Sequence, residues 1–567
     1  MQFKEYQTQI LVVGAGLAGI SAGIEAAEAG SEVTISTAAH FCSGSSFYPG
    51  TWGLGMIAPL DQGDKADLLQ SIDRVGSGIA DLILAEVLVD KIETRIAELE
   101  ELGVKFKKPD NVKADNSLIP CFDNKHRKWF GYTFKSARPA FRQKIEELGI
   151  GVLEKTEIIK LIVKDNKFQA ALALDQDNNL ILIKAQAVVL ASGGIGGLYQ
   201  HSLNTSDLNG YGQVMALDAG CKLTNVEFIQ FIPGYLKPNY KTIFNERTFA
   251  YAELSDQNGN DILDKYLPAE YDEEEILKKR AAHGPFSSRL ETKYVDLALF
   301  KEYLKNDQED FYNLSYKEEI KDSDSLMIKE YFDWLEKEKG ITTADPISIV
   351  PFEHASNGGI LIDQKAQTGV EGILAAGEIT GGMHGADRIG GLATANSLVF
   401  GQIAGQTAAA YAAESSSAAE KITETELEAE IKTYLNKINF ELEAPKKEIA
   451  ELRQIIWENA SILRSEKSLN EILTKIKNLN AMVKTKSSSD LNLTTQVADL
   501  RTKIKLKNYL SLAEALTKAM LLRKESRGSH FREDYPNETK EYKKNIVISR
   551  ENSQLKTEWV ALNKGGL

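Results

Sequence analysis

A histidine, an aspartate and an arginine stand among glycines in HGADRIGG, His384 to Gly391. Arginine carries a planar fork of donors that matches a carboxylate, and glycines beside it remove the side-chain bulk that would keep a ligand away. So many glycines would wreck a helix, and AAGEITGG just upstream reads as a strand running into a turn, so Arg388 belongs on a loop facing an anion. For His384 two readings stand, a hydrogen bond that holds the loop and a contact with substrate. His354 lies in FEHASNGGILI, where polar residues and glycines interrupt an apolar run before the strand GILID. Arg289, in HGPFSSRLETKYVD, is a further cationic candidate, with a surface salt bridge as its plainer reading.

Such side chains need a frame, and the most legible part of it is ILVVGAGLAGISAGIEAAEAGSEVTIS. Apolar Ile10 to Val13 predict a strand, Leu17 to Ala29 a small-residue helix stopped by Gly30, and Glu32 to Ser36 a second strand. Between them Gly14, Gly16 and Gly19 keep GxGxxG spacing, which gives a tight turn, close approach of backbone to a pyrophosphate, and close helix–strand packing. That unit predicts dinucleotide binding. The second strand ends in Ser36 and Thr37 rather than in an acid for the adenosine ribose, which argues against NAD. AQAVVLASGGIGGLY, Ala185 to Tyr199, returns the chain to the same sheet with another glycine turn.

GAGLAG, LASGG, HASNGG, AAGEITGGMHGADRIGG, SLVFGQIAG and ESRGSHFREDYP follow one another in the order found in a known group of flavoproteins. Over nearly its whole length the chain resembles the fumarate reductase, succinate dehydrogenase and L-aspartate oxidase superfamily, which also holds adenylylsulfate reductase. The resemblance implies an α/β fold: a Rossmann-like FAD-binding domain, an inserted α+β capping domain and a C-terminal helical domain. It implies FAD held by Gly14, Ala15, Gly16, Ala18, Gly19, Ser36, Thr37, Ser45, Ser46, Gly53, Ala191, Ser192, Gly193, Gly194, Glu378, Ser397 and Leu398. It places Arg388 over the isoalloxazine ring and makes His354 a substrate-binding histidine. Arg289 falls in the segment that carries the family's catalytic arginine, which moves a proton at the carbon next to the one exchanging hydride. Membrane-bound succinate dehydrogenases link FAD through a histidine in the loop after the second strand; SGSSFYPG has Ser45 there, so the FAD is expected to be noncovalent.

The substrate side departs from the family pattern. Where the family reads Gln-Phe-His-Pro-Thr, this chain reads QFIPG, with Ile232 at the histidine's place. Downstream Asn245 replaces a threonine and only Glu246 survives, while Cys121 to Arg138 lacks a glycine pair and offers Trp129, Phe130 and Tyr132. An isoleucine cannot bind a second carboxylate, and an unpaired charge in a dry pocket costs several kcal/mol. The expected substrate is therefore a small carboxylic acid other than fumarate, contacted by Ile232, Asn245, Glu246, His354 and Arg388. An aspartate-oxidase-like enzyme and a flavoprotein subunit of an electron-transfer complex, adenylylsulfate-reductase-like, remain as alternatives.

Motif order predicts one flavin domain from residues 1–230 and 345–412, a cap at 231–344, and a helical region at 423–567 after the linker AAAYAAESSSAAE. Within that last region ELRQIIWENASILRSEKSLNEIL reads as one amphipathic helix with Trp457 in the core, and ESRGSHFREDYP as a structural network. The 567 residues are 43% apolar and 26% charged, ordinary for a globular protein, and the net charge of -14 argues against nucleic acid. The polar start MQFKEYQTQI and the lack of an apolar run of roughly 18 residues predict a cytoplasmic protein without membrane insertion. Three scattered cysteines cannot build a four-thiolate cluster and no metal site is expected, so electrons must pass through another carrier, an iron–sulfur partner among the candidates.

Overall fold

Ile10–Val13 is apolar at every position because it lies inside a five-stranded parallel sheet covered on both faces. A computed structural model describes residues 3–48, 50–51, 54–107, 125, 127–305, 311–414, 422–485 and 500–562. Sheet order runs Ile373–Ala375, Ala187–Leu190, Ile10–Val13, Val33–Ser36, Gly151–Leu153, with Val12 registered between Val189 and Ile35. The crossover helix Leu17–Glu28 packs along Leu392–Glu414. SLVFGQIAG explains that contact: a Cβ on Gly401 would lie 2.6 Å from Ala18 O, and one on Gly405 would overlap Ala22 O. Two small-residue faces therefore bring the helix backbones together. The second helix continues through Ala408–Glu414, into the stretch expected to be linker.

A two-stranded antiparallel ribbon, Ile229–Lys237 against Ser348–Ser356, carries the chain into the cap and back. Phe231, Ile232, Val350 and Phe352 belong to the main core, whereas Tyr235 and Ile349 belong to a separate cap core with Phe244, Phe249, Leu299 and Tyr331. The ribbon thus straddles the two cores, and the passage between them lies within its strands.

The C-terminal region differs from the expected helical domain in three ways. The single amphipathic helix is two, Pro445–Ala460 and Glu466–Met482, because Ser465 caps the second through a reciprocal bond with Ser468. Its residues, Trp457 and Leu512 among them, pack into the same core as the flavin sheet. It ends in a hairpin, Asn545–Glu551 with Gln554–Val560, that pairs with Leu223–Thr224 and through it with Gly359–Ile360. GILID accordingly contributes only two residues of strand, Gly359–Ile360. Among the described residues no helix is long and apolar enough to cross a membrane.

ESRGSHFREDYP lies in a buried ionic network. Arg523 pairs with Glu227 at 2.8 Å and with Glu525 at 2.9 Å, and Glu525 also holds Arg527 at 2.7 Å; these side chains are almost wholly inaccessible. Arg464, in the break between the two helices, donates to Glu227 O and contacts His530 Nδ1 at 2.6 Å. Removing one member strands the others in a dry interior. Glu525→Ala is expected to lower the unfolding free energy by about 3–5 kcal/mol in chemical denaturation, with Glu541→Ala on the exposed surface as the neutral control.

Candidate active site

The three glycines of the first turn do different work. Gly14 holds φ +115° beneath Ala191, and Gly19 packs on Gly14 O so tightly that no Cβ fits. Gly16 is open: a Cβ there would meet only Ser43 O, at 3.8 Å. It begins the helix Leu17–Glu28 with no side-chain cap and no acid in the first turn, so the amides at that end face a cleft. The cleft wall includes Ala15, Ala18, Ser36, Thr37, Ser45, Ser46, Ala191, Ser192, Gly193, Glu378 and Ser397. Ser36 donates to Thr156 O at 2.8 Å, leaving no carboxylate at that strand end. Ser356 Oγ, beside Glu378, is buried without a hydrogen-bond partner. Open amides at a helix start, hydroxyl-rich walls and an unused buried hydroxyl fit an FAD bound along this cleft.

Three of the expected cofactor residues lie behind the wall. Gly19 acts through packing, Gly194 makes room for the Glu378 carboxylate, and Leu398 sits between helices with its carbonyl accepting from Ser21 Oγ. Gly53 lies outside the described residues, as do Cys121–Asn124 and His126. Thr156, Ile158, Asp207, Asn209 and Tyr211 also line the cleft and carry no recognised motif. Asp207 and Asn209 fall in the run of Ser, Asn and Asp in HSLNTSDLNG, directly after the second glycine turn, while Thr156, Ile158 and Tyr211 have no such signal. His40, the one histidine near Ser45, points away, its side chain 66% exposed and bound to Glu154 at 3.1 Å.

Arg388 is buried, and its loop is tied down on several sides. Gln230 Nε2 donates to Arg388 O at 3.3 Å; Asn357 Nδ2 and Ser529 N both donate to Ala386 O. Gly385, at φ +66°, backs against Gly76, where a Cβ would lie 2.6 Å from its carbonyl oxygen. At Gly385 the space that a side chain would take is filled by protein backbone rather than left open to a ligand. Burial, reinforced by the Arg388 charge, pulls both His354 and His384 down to about 3. Burial raises Glu378, and Arg388 opposes the rise. Arg388, His354, His384 and Glu378 therefore form one electrostatic neighbourhood with both imidazoles neutral.

Arg289 stands apart from that group. Its Nε donates to Asp387 Oδ2 at 3.2 Å, and Ser287 Oγ donates to the same oxygen at 2.5 Å. Burial pushes Asp387 up to about 6, with Arg289 and the Ser287 hydroxyl pulling the other way. The aspartate of HGADRIGG is thus the link between Arg289 and the Arg388 loop.

Of the altered substrate residues, Ile232 is buried opposite Phe352 on the ribbon. Both ends of the Asn245 amide are engaged within the chain, accepting from Arg247 N at 3.1 Å and donating to Met327 O at 3.5 Å. Asn245 is therefore the cap of the turn Glu246–Tyr251 rather than a free substrate contact. Glu246 faces the cap; burial raises its carboxyl against the pull of Arg280 and Arg247.

Glu353, which no motif singled out, is a wholly buried carboxyl next to His354. Ser202 Oγ and Asn204 Nδ2 donate to its Oε2 at 2.7 and 2.8 Å, while Oε1 has no partner. Asn204 in turn accepts from Ser45 in the cleft wall. Burial and the neighbouring Glu378 push Glu353 up to about 8.

Residues 9–393 match the family described as FAD binding domain, and residues 449–564 match Fumarate reductase flavoprotein C-term. The chain is 27% identical to one subunit of the CoM/CoB fumarate reductase of Methanothermobacter marburgensis, over 97% of this chain and 98% of that one. It is 25% identical to the L-aspartate oxidase of Vibrio cholerae, over 96% and 99%. Mycobacterium smegmatis Sdh1 in complex with UQ1 superposes with a TM-score of 0.80 at 26% identity, covering 99% of this chain and 95% of that one.

A carboxyl whose folded value is about 8 instead of 4.5 binds its proton more tightly in the folded state. Its contribution is full below about pH 4.5 and is lost as pH rises toward 8. Glu353→Gln is expected to remove a few kcal/mol of the stability lost between about pH 5 and pH 8, read from urea midpoints across that range.

Proposed function

The chain belongs to the family of FAD-binding flavoproteins that includes fumarate reductase subunits, succinate dehydrogenase and L-aspartate oxidase, and from that premise we propose a reaction and a substrate class. It is an FAD-dependent oxidoreductase. We assign it hydride exchange at a carbon–carbon bond of a small anionic carboxylic acid other than fumarate. The observation that carries this reading is a buried arginine on a tied-down loop, flanked by two neutral histidines.

FAD, when bound along the cleft, supplies hydride transfer. Arg388 holds the substrate carboxylate and draws electron density toward it, polarising the adjoining double bond. His354, neutral, gives or accepts one hydrogen bond and so orients the acid without adding charge. With both imidazoles held near 3, neither is a proton donor at neutral pH. That role falls to Arg289, with Asp387 fixing its guanidinium through Nε. The proton goes to the carbon beside the one that receives hydride, completing addition across the double bond. Buried Ile232 supports an acid with an apolar tail in place of a second carboxylate.

Electrons reach the flavin from another protein, for which we assign an iron–sulfur partner, since this chain's three cysteines cannot hold a cluster. The FAD is noncovalent in this reading, supported by Ser45 in the cleft wall and by His40 turned toward Glu154.

Anaerobically reduced enzyme is expected to regain its oxidised spectrum faster with unsaturated monocarboxylic acids than with fumarate; fumarate turnover as fast as the best of them overturns the substrate assignment. Peroxide release with aspartate would instead place the chain with the amino-acid oxidases. Arg388→Lys should lower kcat/KM by about 100-fold, because a point charge replaces the two-pronged donor, with FAD content unchanged. Acid precipitation should leave the flavin in the supernatant, and yellow precipitate counts against noncovalent attachment.

A further inference from the structure

A basin opens in the surface beside Arg289, where the end of the helix Gln62–Val75 meets Ser288 and the segment 536–543. Its wall carries Arg74, Arg289, Lys293, Arg527, Lys540 and Lys543, against one carboxylate, Glu538. Two of the cations are already used: Arg289 binds Asp387, and Arg527 binds Glu525 and, at 3.3 Å, Glu538. Arg74, Lys293, Lys540 and Lys543 have no carboxylate within ion-pair distance among the described residues. Arg74 donates to Ser71 Oγ and Lys293 to Ser288 O, and the Lys293 ammonium also lies over the Tyr294 and Phe531 rings.

That concentration is unusual for a chain of net charge -14, in which Lys278, Lys279, Lys160 and Lys475 all find glutamates. Lys293 shows the cost most directly: partial burial holds its ammonium below the usual lysine range, and no carboxylate counters it. A second, independent observation concerns Ser288. It is only 6% exposed, it stands in the basin wall, and its Oγ has no hydrogen-bond partner. A buried hydroxyl without a partner and four cations without counter-charge are deficits that a single ligand would fill together.

We propose that this basin is a binding site for a small multivalent oxyanion of the phosphate class, held by Lys293, Lys540, Lys543 and Arg74 with Ser288 Oγ donating at its floor. A monocarboxylate would leave most of the cations uncompensated, whereas two or more charges on one compact group match them. Lysines act as movable point charges and suit a tetrahedral anion as well as the fork of an arginine does. The site is separate from the flavin cleft, yet Arg289 lines it while holding Asp387, next to Arg388 in the chain. An occupant would therefore share a guanidinium with the loop assigned to the substrate, although its binding does not depend on that assignment.

The experiment is calorimetric titration of the FAD-loaded protein with inorganic phosphate and with pyrophosphate, ionic strength being held constant with sodium chloride. Saturable one-to-one binding is expected, tighter for pyrophosphate, with a rise in thermal midpoint that grows with ligand concentration. The double variant Lys540→Gln/Lys543→Gln, both exposed side chains, should weaken binding by about 10-fold or more while leaving the flavin spectrum and hydride transfer unchanged. Ser288→Ala should weaken it less, and Lys278→Gln/Lys279→Gln not at all. No saturable binding, chloride competing on equal terms, or unchanged affinity in the double variant overturns the proposal. So does exclusive binding of an acidic protein, with small oxyanions excluded. Failure of the hydride-transfer reading would leave these heats unaltered, so the two proposals fall separately.

Discussion

Burying a guanidinium is expensive, and the surroundings of Arg388 are arranged around that cost. Burial lowers two imidazoles and raises a glutamate around it, and its charge deepens the first effect and opposes the second. Its backbone is held from four directions, by Gly76, Gln230, Asn357 and the 525–532 segment. A charge of this kind is useful only if it cannot relax away from its target. The loop is rigid because protein, rather than solvent, fills the space its glycines leave.

The remaining architecture can be understood as the means of keeping that loop and the flavin helix in a common frame. One face of the cleft comes from the sheet and the helix Leu17–Glu28, fixed by a backbone-to-backbone contact with Leu392–Glu414, the helix that follows the Arg388 loop. The ribbon places Glu353 near Glu378, a residue of the cleft wall, and carries the chain onward into the cap. The C-terminal region adds the third support. Its buried arginines and glutamates close against Glu227, and its Ser529 amide reaches the Arg388 loop itself.

Much of this was legible in the residues alone, and the reasons differ from place to place. GxGxxG between two apolar runs carries its geometry locally, so the strand–turn–helix–strand unit was readable with boundaries off by a residue. Trp457 in the core and the ionic character of ESRGSHFREDYP followed from residue type. The break at Ser461–Ser465 was not readable, because an apolar pattern continues across it and hides the Ser465–Ser468 cap that starts the second helix. Glu353 was invisible for a similar reason: its partners Ser202 and Asn204 lie about 150 positions away, and a lone acid in a strand announces nothing. Asn245 looked like a pocket residue because position was the only guide, whereas its amide is spent capping a turn.

The hairpin Asn545–Glu551/Gln554–Val560 pairs with Leu223–Thr224, and the sheet's edge strand, Ile373–Ala375, arrives only after the cap has been made. During synthesis the emerging chain therefore exposes apolar surface of the first half for as long as several hundred further residues take to be translated. Such long-range closure is slow and vulnerable to misassembly. A chain ending before those strands would leave the partner edge Leu223–Thr224 and one flank of Ala187–Leu190 without the neighbours that cover them.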